Sequence, residues 1–216
     1  MRYQLAIFDM DGTILNTIED LCDSTNAALH ENGFPSRSLL EVKSFVGNGI
    51  RRLIDLAVPK GTPEEKVEKV FTDFHVYYKT HCAIKTRPYD GIKELLSSLR
   101  KEGVLTAVVS NKADYAVQDL CKDYFDGLFD MAVGEREGIK KKPAPDSVYE
   151  VLKKLRVEKE HAVYIGDSEV DFMTAQNAQM DLLMVGWGFR EEEFLKQCGA
   201  KTVLHKPSEI YEAIMN

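Results

Sequence analysis

The sequence lacks the features that mark a membrane, secreted or nucleic-acid-binding protein. No apolar run approaches the ~20 residues needed to cross a bilayer, and the first run, Leu5–Phe8, is much shorter than a signal-peptide core. The four cysteines are far apart and form no CxxC pair, which predicts reduced thiols and no zinc site. The net charge of −7 disfavours binding to nucleic acid or a membrane surface, because both are polyanions. We therefore expect a cytoplasmic protein. The sequence does not distinguish a monomer from a homodimer.

What the sequence does contain is an alternation of short β-type runs with helical periodicity. Apolar residues spaced as Ile92, Leu95, Leu96 and Leu99 indicate one face of a helix. Alternation of this kind predicts an α/β fold, with a Rossmann-like, mostly parallel sheet between helices. The predicted strands are Leu5–Phe8, Val104–Val109, Met131–Val133, Ala162–Ile165, Leu182–Val185 and Thr202–Leu204.

Residues 16–87 interrupt this alternation, because they carry helical periodicity without a convincing strand. Apolar residues recur there at helical spacing, as at Ile50 and Leu53. An all-helical insertion after the first strand predicts a helical-bundle cap domain at 16–87 and a core domain of residues 1–15 and 88–216. Ligands bind at the carboxyl ends of the strands in open α/β sheets, so we expect the cap to cover that edge.

Two carboxylates follow the first predicted strand, in Asp9-Met10-Asp11-Gly12-Thr13. A carboxylate can attack phosphorus and form an aspartyl-phosphate. A divalent cation is then needed to hold the two anions together. Gly12 allows the backbone to turn and to approach a ligand closely. Taken alone, the motif is equally typical of an Asp-Gly turn in which Asp11 is a capping residue.

Three further motifs follow an apolar run or precede a helix. Ser110-Asn111-Lys112 offers donors to an anion, or alternatively caps a helix that starts near Ala113. Lys142 precedes a proline and a predicted helix, so its side chain has a defined direction. Asp167 and Asp171 suit a hard cation, or alternatively a helix dipole. Because all the motifs fall at one edge of the predicted sheet, we expect them to form one site.

Together, these motifs resemble the signatures of the haloacid dehalogenase superfamily, in the family's order and over essentially the whole chain. The helical insertion is similar to the four-helix cap of the phosphoglycolate phosphatase branch, to which three weaker matches also point. The signatures are Asp9-Met10-Asp11-Gly12-Thr13, Ser110-Asn111-Lys112, Lys142-Pro143 and Gly166-Asp167-Ser168-Glu169-Val170-Asp171, and the weaker matches are Val46–Gly49, Trp187–Phe189 and Lys206–Glu209.

The resemblance implies a nucleophile and a magnesium site. Asp9 would be the nucleophile and a ligand of Mg²⁺. Asp11 would bind Mg²⁺ through its backbone carbonyl, while its side chain acts first as a general acid and then as a general base. Asp167 would complete the metal site.

The resemblance also implies a binding site for the phosphoryl group. Ser110 and Lys142, with Asn111 beside Ser110, would bind the phosphoryl oxygens. Asp171 would orient Lys142 or a water molecule on the metal. These roles are consistent with phosphoryl transfer, in which positioned cations and donors stabilise the charge on the equatorial oxygens.

The predicted function is magnesium-dependent hydrolysis of a small phosphomonoester, with phosphoglycolate as the first candidate. Pyrophosphate or a nucleotide, handled by the same machinery, is the nearest alternative. A β-phosphoglucomutase-type transfer is disfavoured, since Gly49–Leu53 matches the Arg-rich loop of that branch poorly. A catalytically inactive binding protein is disfavoured because the signature residues are intact.

Arg51 and Arg52 are candidate substrate-binding residues in the cap. They lie beside the apolar face of their predicted helix rather than on it. An arginine there could pair with a carboxylate of the substrate in bidentate geometry. The alternative is that both are surface charges or pair with nearby acids such as Asp55.

Overall fold

The structure, a computed structural model, describes residues 2–216 of the chain. The chain folds into two compact units, one formed by residues up to Leu15 together with Pro88–Asn216 and the other by Asn16–Arg87. Within residues 2–216, no helix combines the length and the apolar character needed to span a membrane.

Eight strands, ten α-helices and one short 3-10 helix (Lys159–His161) form within the described residues. The strands are β1 (Leu5–Phe8), β2 (Leu15–Asn16), β3 (Arg87–Pro88), β4 (Leu105–Ala113), β5 (Met131–Glu135), β6 (Ala162–Gly166), β7 (Asp181–Val185) and β8 (Val203–Leu204). The helices are α1 (Ile18–Glu31), α2 (Leu39–Phe45), α3 (Gly49–Ala57), α4 (Glu64–His81), α5 (Ile92–Lys101), α6 (Asp114–Phe125), α7 (Asp146–Leu155), α8 (Glu169–Ala178), α9 (Glu192–Gln197) and α10 (Pro207–Met215).

The first unit is built on a six-stranded sheet with the order β5-β4-β1-β6-β7-β8. Every neighbouring pair in it is parallel. This confirms the predicted α/β fold with a mostly parallel sheet. The strands β2 and β3 form a separate two-stranded ribbon.

The central strand β1 explains why its sequence is a continuous apolar run. Leu5, Ala6, Ile7 and Phe8 are all fully buried. Successive side chains point to opposite faces of the sheet, so both faces must be covered. Ala6 and Phe8 pack in the cluster that includes α5, α6 and α10, whereas Leu5 and Ile7 pack with α7 and α8.

The second unit consists of the four helices α1–α4. The predicted apolar stripes pack inward, and α1 packs chiefly against α4. Leu53 and Ile54 of α3, for example, are at most 1% exposed. The buried carboxylate of Asp20 accepts hydrogen bonds from the backbone N–H groups of Lys85 and Thr86, which ties the first turn of α1 to the segment after α4.

Candidate active site

The three central strands of the sheet bring polar residues to one edge. Val108 and Ile165 are both level with Phe8 in the register of the sheet. Asp9 follows β1 directly. Because the strands are parallel, their carboxyl ends meet, and the residues that follow gather at the crevice on either side of β1.

One of these three central strands, β4, is longer than predicted. It runs to Ala113, and α6 begins at Asp114 with Ala113 as its N-cap. The interpretation that Ser110 or Asn111 caps this helix is therefore wrong. The physical reason is a pair of hydrogen bonds between Asn111 and the backbone of Lys142, which hold this stretch extended.

Lys142 lies at the centre of the site. Its side chain is 3% exposed, and its Nζ lies 2.8 Å from Asp9 Oδ1 and 2.8 Å from Asp171 Oδ1. It also donates to the hydroxyl of Tyr164 at 3.1 Å. Burial lowers the pKa of Lys142, but the charges of Asp171 and Asp9 outweigh burial and the pKa lies well above its ordinary value. Lys142 is therefore a permanent buried cation.

The backbone of Lys142 is held by Asn111. The side-chain amide of Asn111 donates to the carbonyl of Lys142 at 3.0 Å and accepts from its N–H at 2.8 Å. Both ends of the amide are thus used to place Lys142. The side chain of Asn111 therefore contacts the main chain of Lys142, which is itself a candidate for binding phosphate.

Asp167 is held by the loop that follows β7. Its Oδ2 accepts from the backbone N–H of Phe189 at 2.7 Å, and its Oδ1 accepts from Thr13 Oγ1 at 3.1 Å. A Cβ built on Gly12 or on Gly188 would overlap the carboxylate of Asp167. These contacts explain why glycine is required on both sides of Asp167.

Asp171 lies in the first turn of α8. Its Oδ2 accepts from the hydroxyl of Ser168 at 2.6 Å, as part of a capping box. Its Oδ1 contacts Lys142 and accepts from Tyr164 at 3.1 Å. The sequence did not identify Tyr164 as a site residue, because a tyrosine in a buried strand is typical of a protein core. The only signal was a polar tip within an otherwise apolar run.

Asp11 is paired with a lysine from the second motif. Both of its carboxylate oxygens accept from Lys112 Nζ, at 2.8 and 3.0 Å. The Lys112 side chain is 1% exposed and that of Asp11 15%. The sequence motif contained Lys112, but it did not predict this partner.

The cap candidates Arg51 and Arg52 lie on α3, in the helical unit. The guanidinium of Arg51 pairs with Asp55 at 3.0 Å, as the alternative interpretation predicted, and also with Glu64 and Glu68 of α4. Arg52 is exposed and forms no ion pair within residues 2–216. The two neighbouring arginines therefore have different environments.

This site, in the first unit, has two more carboxylates than ammonium groups. The site holds four carboxylates and two ammonium groups. Asp11 contacts Lys112, Asp9 and Asp171 contact Lys142, and Asp167 accepts hydrogen bonds from Thr13 and Phe189 instead. Burial, followed by the charge of Asp171, raises the pKa of Asp9 from 3.8 to about 7. Burial, with Asp171 and Asp9, also raises the pKa of Asp167 well above its ordinary value.

A divalent cation fits this arrangement. Oxygens of Asp9, Asp167 and Asp171 lie within 4.8 Å of one another, close enough to share one ion. The donors are all oxygens, which suit a hard cation such as Mg²⁺.

Known proteins resemble this chain in sequence and in structure. A sequence model of the family described as Haloacid dehalogenase-like hydrolase matches residues 6–185. Phosphoglycolate phosphatase of Haemophilus influenzae is 31% identical over 196 residues, covering 87% of this chain and 88% of that protein. N-acetylmuramic acid 6-phosphate phosphatase of Pseudomonas aeruginosa is 27% identical over 223 aligned positions, covering 99% and 96%. A crystal structure from Lactobacillus delbrueckii, of a protein assigned as a phosphoglycolate phosphatase, has a TM-score of 0.94 and 40% identity, with 99% of each chain covered.

The chain belongs to the haloacid dehalogenase-like hydrolase family, because the family match covers most of its length. Within this family it lies in the phosphoglycolate phosphatase-like branch and is a phosphatase, as the motifs predicted. The structural likeness also confirms the Rossmann-like core with a helical cap.

The raised pKa of Asp9 predicts how stability depends on pH when no divalent cation is bound. The folded protein keeps the Asp9 proton to about pH 7, whereas the unfolded chain loses it near 3.8. In EDTA, the free energy of unfolding should therefore fall as the pH rises from about 4 to about 7, by on the order of a few kcal/mol from Asp9 alone. Asp9→Asn has no proton to lose there, so its free energy of unfolding should fall less in chemical denaturation.

Two controls accompany this measurement. Asp90→Asn alters an exposed carboxylate and should follow the wild-type pH dependence. Saturating Mg²⁺ should stabilise the wild-type protein more at the higher pH, since the cation binds the ionised carboxylate. Identical pH dependence of wild type and Asp9→Asn in EDTA would show that Asp9 is not the group whose pKa is raised.

Proposed function

We propose that the protein is a magnesium-dependent phosphatase that hydrolyses a small phosphomonoester through an aspartyl-phosphate on Asp9. One observation carries the proposal. The carboxylate of Asp9 is buried, and its Oδ1, 2.8 Å from Lys142 Nζ, has no hydrogen-bond partner of normal geometry within residues 2–216. The charge of Lys142 holds this oxygen in position, but no hydrogen bond of normal geometry occupies it. The oxygen therefore remains available for attack on phosphorus.

In the first half of the reaction, an Asp9 oxygen attacks the phosphorus and the bond to the leaving alcohol breaks. The carboxyl group of Asp11 donates its proton to the leaving oxygen. Lys142 and Ser110 bind the phosphoryl oxygens, on which negative charge accumulates. In the second half, water hydrolyses the aspartyl-phosphate while Asp11 accepts a proton, and Asp9 is regenerated.

The carboxylates of Asp9 and Asp167 and the backbone carbonyl of Asp11 would hold Mg²⁺. When bound, the ion supplies the positive charge that lets the Asp9 carboxylate and the phosphate approach each other. The two unbalanced negative charges of the site and the oxygen-only donor set support this assignment.

Asn111 and Asp171 act through Lys142 in this proposal. Asn111 fixes the main chain of Lys142, and Asp171 contacts its ammonium group at 2.8 Å. With Tyr164 as a third contact, the ammonium group has one defined position beside Asp9. Positioning of this kind is what phosphoryl transfer requires from the protein.

The likeness to named relatives supports a small, carboxylate-bearing phosphomonoester as the substrate. Phosphoglycolate and N-acetylmuramic acid 6-phosphate, which give the two relatives their names, both carry a carboxylate besides the phosphate ester. Phosphoglycolate is the first compound to test. Pyrophosphate and nucleotides would meet the same phosphoryl-binding groups and belong in the same panel of substrates.

Asp9→Asn should abolish phosphate release from every substrate that the wild-type protein hydrolyses with Mg²⁺. The change is nearly isosteric but removes the attacking anion. Circular dichroism should be unchanged, since Asp9 lies after β1 and not within it. Asp90→Asn is the matched control and should retain full activity. More than a few per cent of wild-type activity in Asp9→Asn would exclude Asp9 as the nucleophile.

The different environments of Arg51 and Arg52 predict different effects of truncation. Arg52→Ala should raise KM for phosphoglycolate by tenfold or more, about 1.4 kcal/mol, because Arg52 has no carboxylate partner of its own. KM for 4-nitrophenyl phosphate, which has no carboxylate, should barely change. Arg51→Ala is the control, since its guanidinium already pairs with three acids. Small, equal effects of Arg52→Ala on both substrates would remove Arg52 from the substrate site.

A further inference from the structure

Lys112 is a buried cation to which the reaction described above assigns no role. Its Nζ contacts both oxygens of Asp11, at 2.8 and 3.0 Å, across 101 residues of sequence. The Lys112 side chain is 1% exposed, so the ammonium group has little access to water. A buried ammonium group that contacts both oxygens restrains the position and the plane of the carboxylate.

The backbone of β4 directs Lys112 toward Asp11. Pairing of β4 with β5 is regular to Val109 and resumes at Ala113, with an irregularity between them. Gly134 of β5 lies so close that a Cβ on it would overlap the carbonyl oxygen of Lys112. Irregularities in a strand redirect side chains, often beside an active site. Here the redirected side chain is that of Lys112.

We infer that Lys112 is a positioning residue that holds the Asp11 carboxyl group in place for proton transfer. The inference rests on the proposed function and deepens it. In the first half-reaction the Asp11 proton passes to the leaving oxygen as the phosphorus–alcohol bond breaks and the phosphorus–Asp9 bond forms. In the second, Asp11 takes the proton of the water whose oxygen replaces Asp9 on phosphorus.

The leaving group distinguishes this role from binding of the phosphate. An alkyl alcohol is a strong base and needs a proton as it leaves, whereas 4-nitrophenol leaves readily as an anion. A defect in proton transfer by Asp11 should therefore slow alkyl phosphates much more than 4-nitrophenyl phosphate. The parameter to compare is kcat/KM, which includes only the steps up to departure of the leaving group.

The experiment compares Lys112→Met with wild type on two substrates: the alkyl phosphate that the enzyme hydrolyses fastest, and 4-nitrophenyl phosphate. For the alkyl phosphate, kcat/KM should fall by about tenfold or more, as expected when a positioned acid is displaced. For 4-nitrophenyl phosphate it should change by less than about threefold. Lys112→Arg can keep a two-point contact with Asp11 and should recover part of the alkyl phosphatase activity.

The Asp11→Asn background tests whether Lys112 acts through Asp11. Adding Lys112→Met to Asp11→Asn should cause no further loss of kcat/KM with either substrate. An equal loss on both substrates, or a further loss in the Asp11→Asn background, would overturn the inference, because Lys112 would then not act through proton transfer by Asp11. If Lys112→Met alone fails to fold, the double variant removes both charges of the pair, and its comparison with Asp11→Asn still decides the question.

Failure of this inference can be told from failure of the proposed function. If Asp9→Asn remains active, or no phosphate ester is hydrolysed, the proposed function is wrong and the inference falls with it. If Asp9→Asn is inactive while Lys112→Met treats the two substrates alike, only the role of Lys112 is wrong.

Discussion

The contact between Lys142 and the carboxylates of Asp9 and Asp171 is the interaction on which the rest of the site depends. An ammonium group and carboxylates are buried together, which is unfavourable unless each charge has partners. Lys142 lies 2.8 Å from both carboxylates. It is the cation shared by the carboxyl end of β1 and the first turn of α8. Even so, burial and then the charge of Asp171 raise the pKa of Asp9 to about 7, so Lys142 alone does not offset the cost of burying these carboxylates. The remaining negative charge is what a divalent cation would balance.

Much of the surrounding sequence serves to hold this charge cluster in place. Gly12 and Gly188 leave room for the carboxylate of Asp167, which no larger residue would do. Trp187 donates from its indole nitrogen to the carbonyl of Thr13 at 3.0 Å, and so joins the loop after β7 to the loop after β1. The weak sequence likeness at Trp187–Phe189 therefore has a structural reason.

The sequence predicted the parts of the fold and site that depend on local pattern. Asp9 and Asp167 follow apolar runs, so their places at strand ends could be predicted from the runs alone. The contact of Lys112 with Asp11 could not, because it depends on an irregular strand end and spans 101 residues. The sequence did not identify Tyr164 for a related reason: its hydroxyl meets Lys142 and Asp171 only through tertiary packing.

The incorrect prediction of a helix cap at the end of β4 has the same origin. Ser110 and Asn111 have the composition of a helix cap, and local propensity favours that interpretation. The amide of Asn111 instead bonds to the backbone of Lys142, 31 residues away, and the strand continues. A long-range hydrogen-bonding partner overrode a local preference.

Direct detection of the phosphorylated enzyme is the measurement that tests the central claim most directly. Asp11→Asn should slow hydrolysis of the aspartyl-phosphate, so the intermediate should accumulate with 4-nitrophenyl phosphate and Mg²⁺. After rapid acid quench and digestion, mass spectrometry should find phosphate on the peptide that contains Asp9, and none when Asp9→Asn is added. Phosphate on another residue, or turnover without any phosphorylated peptide, would contradict the account.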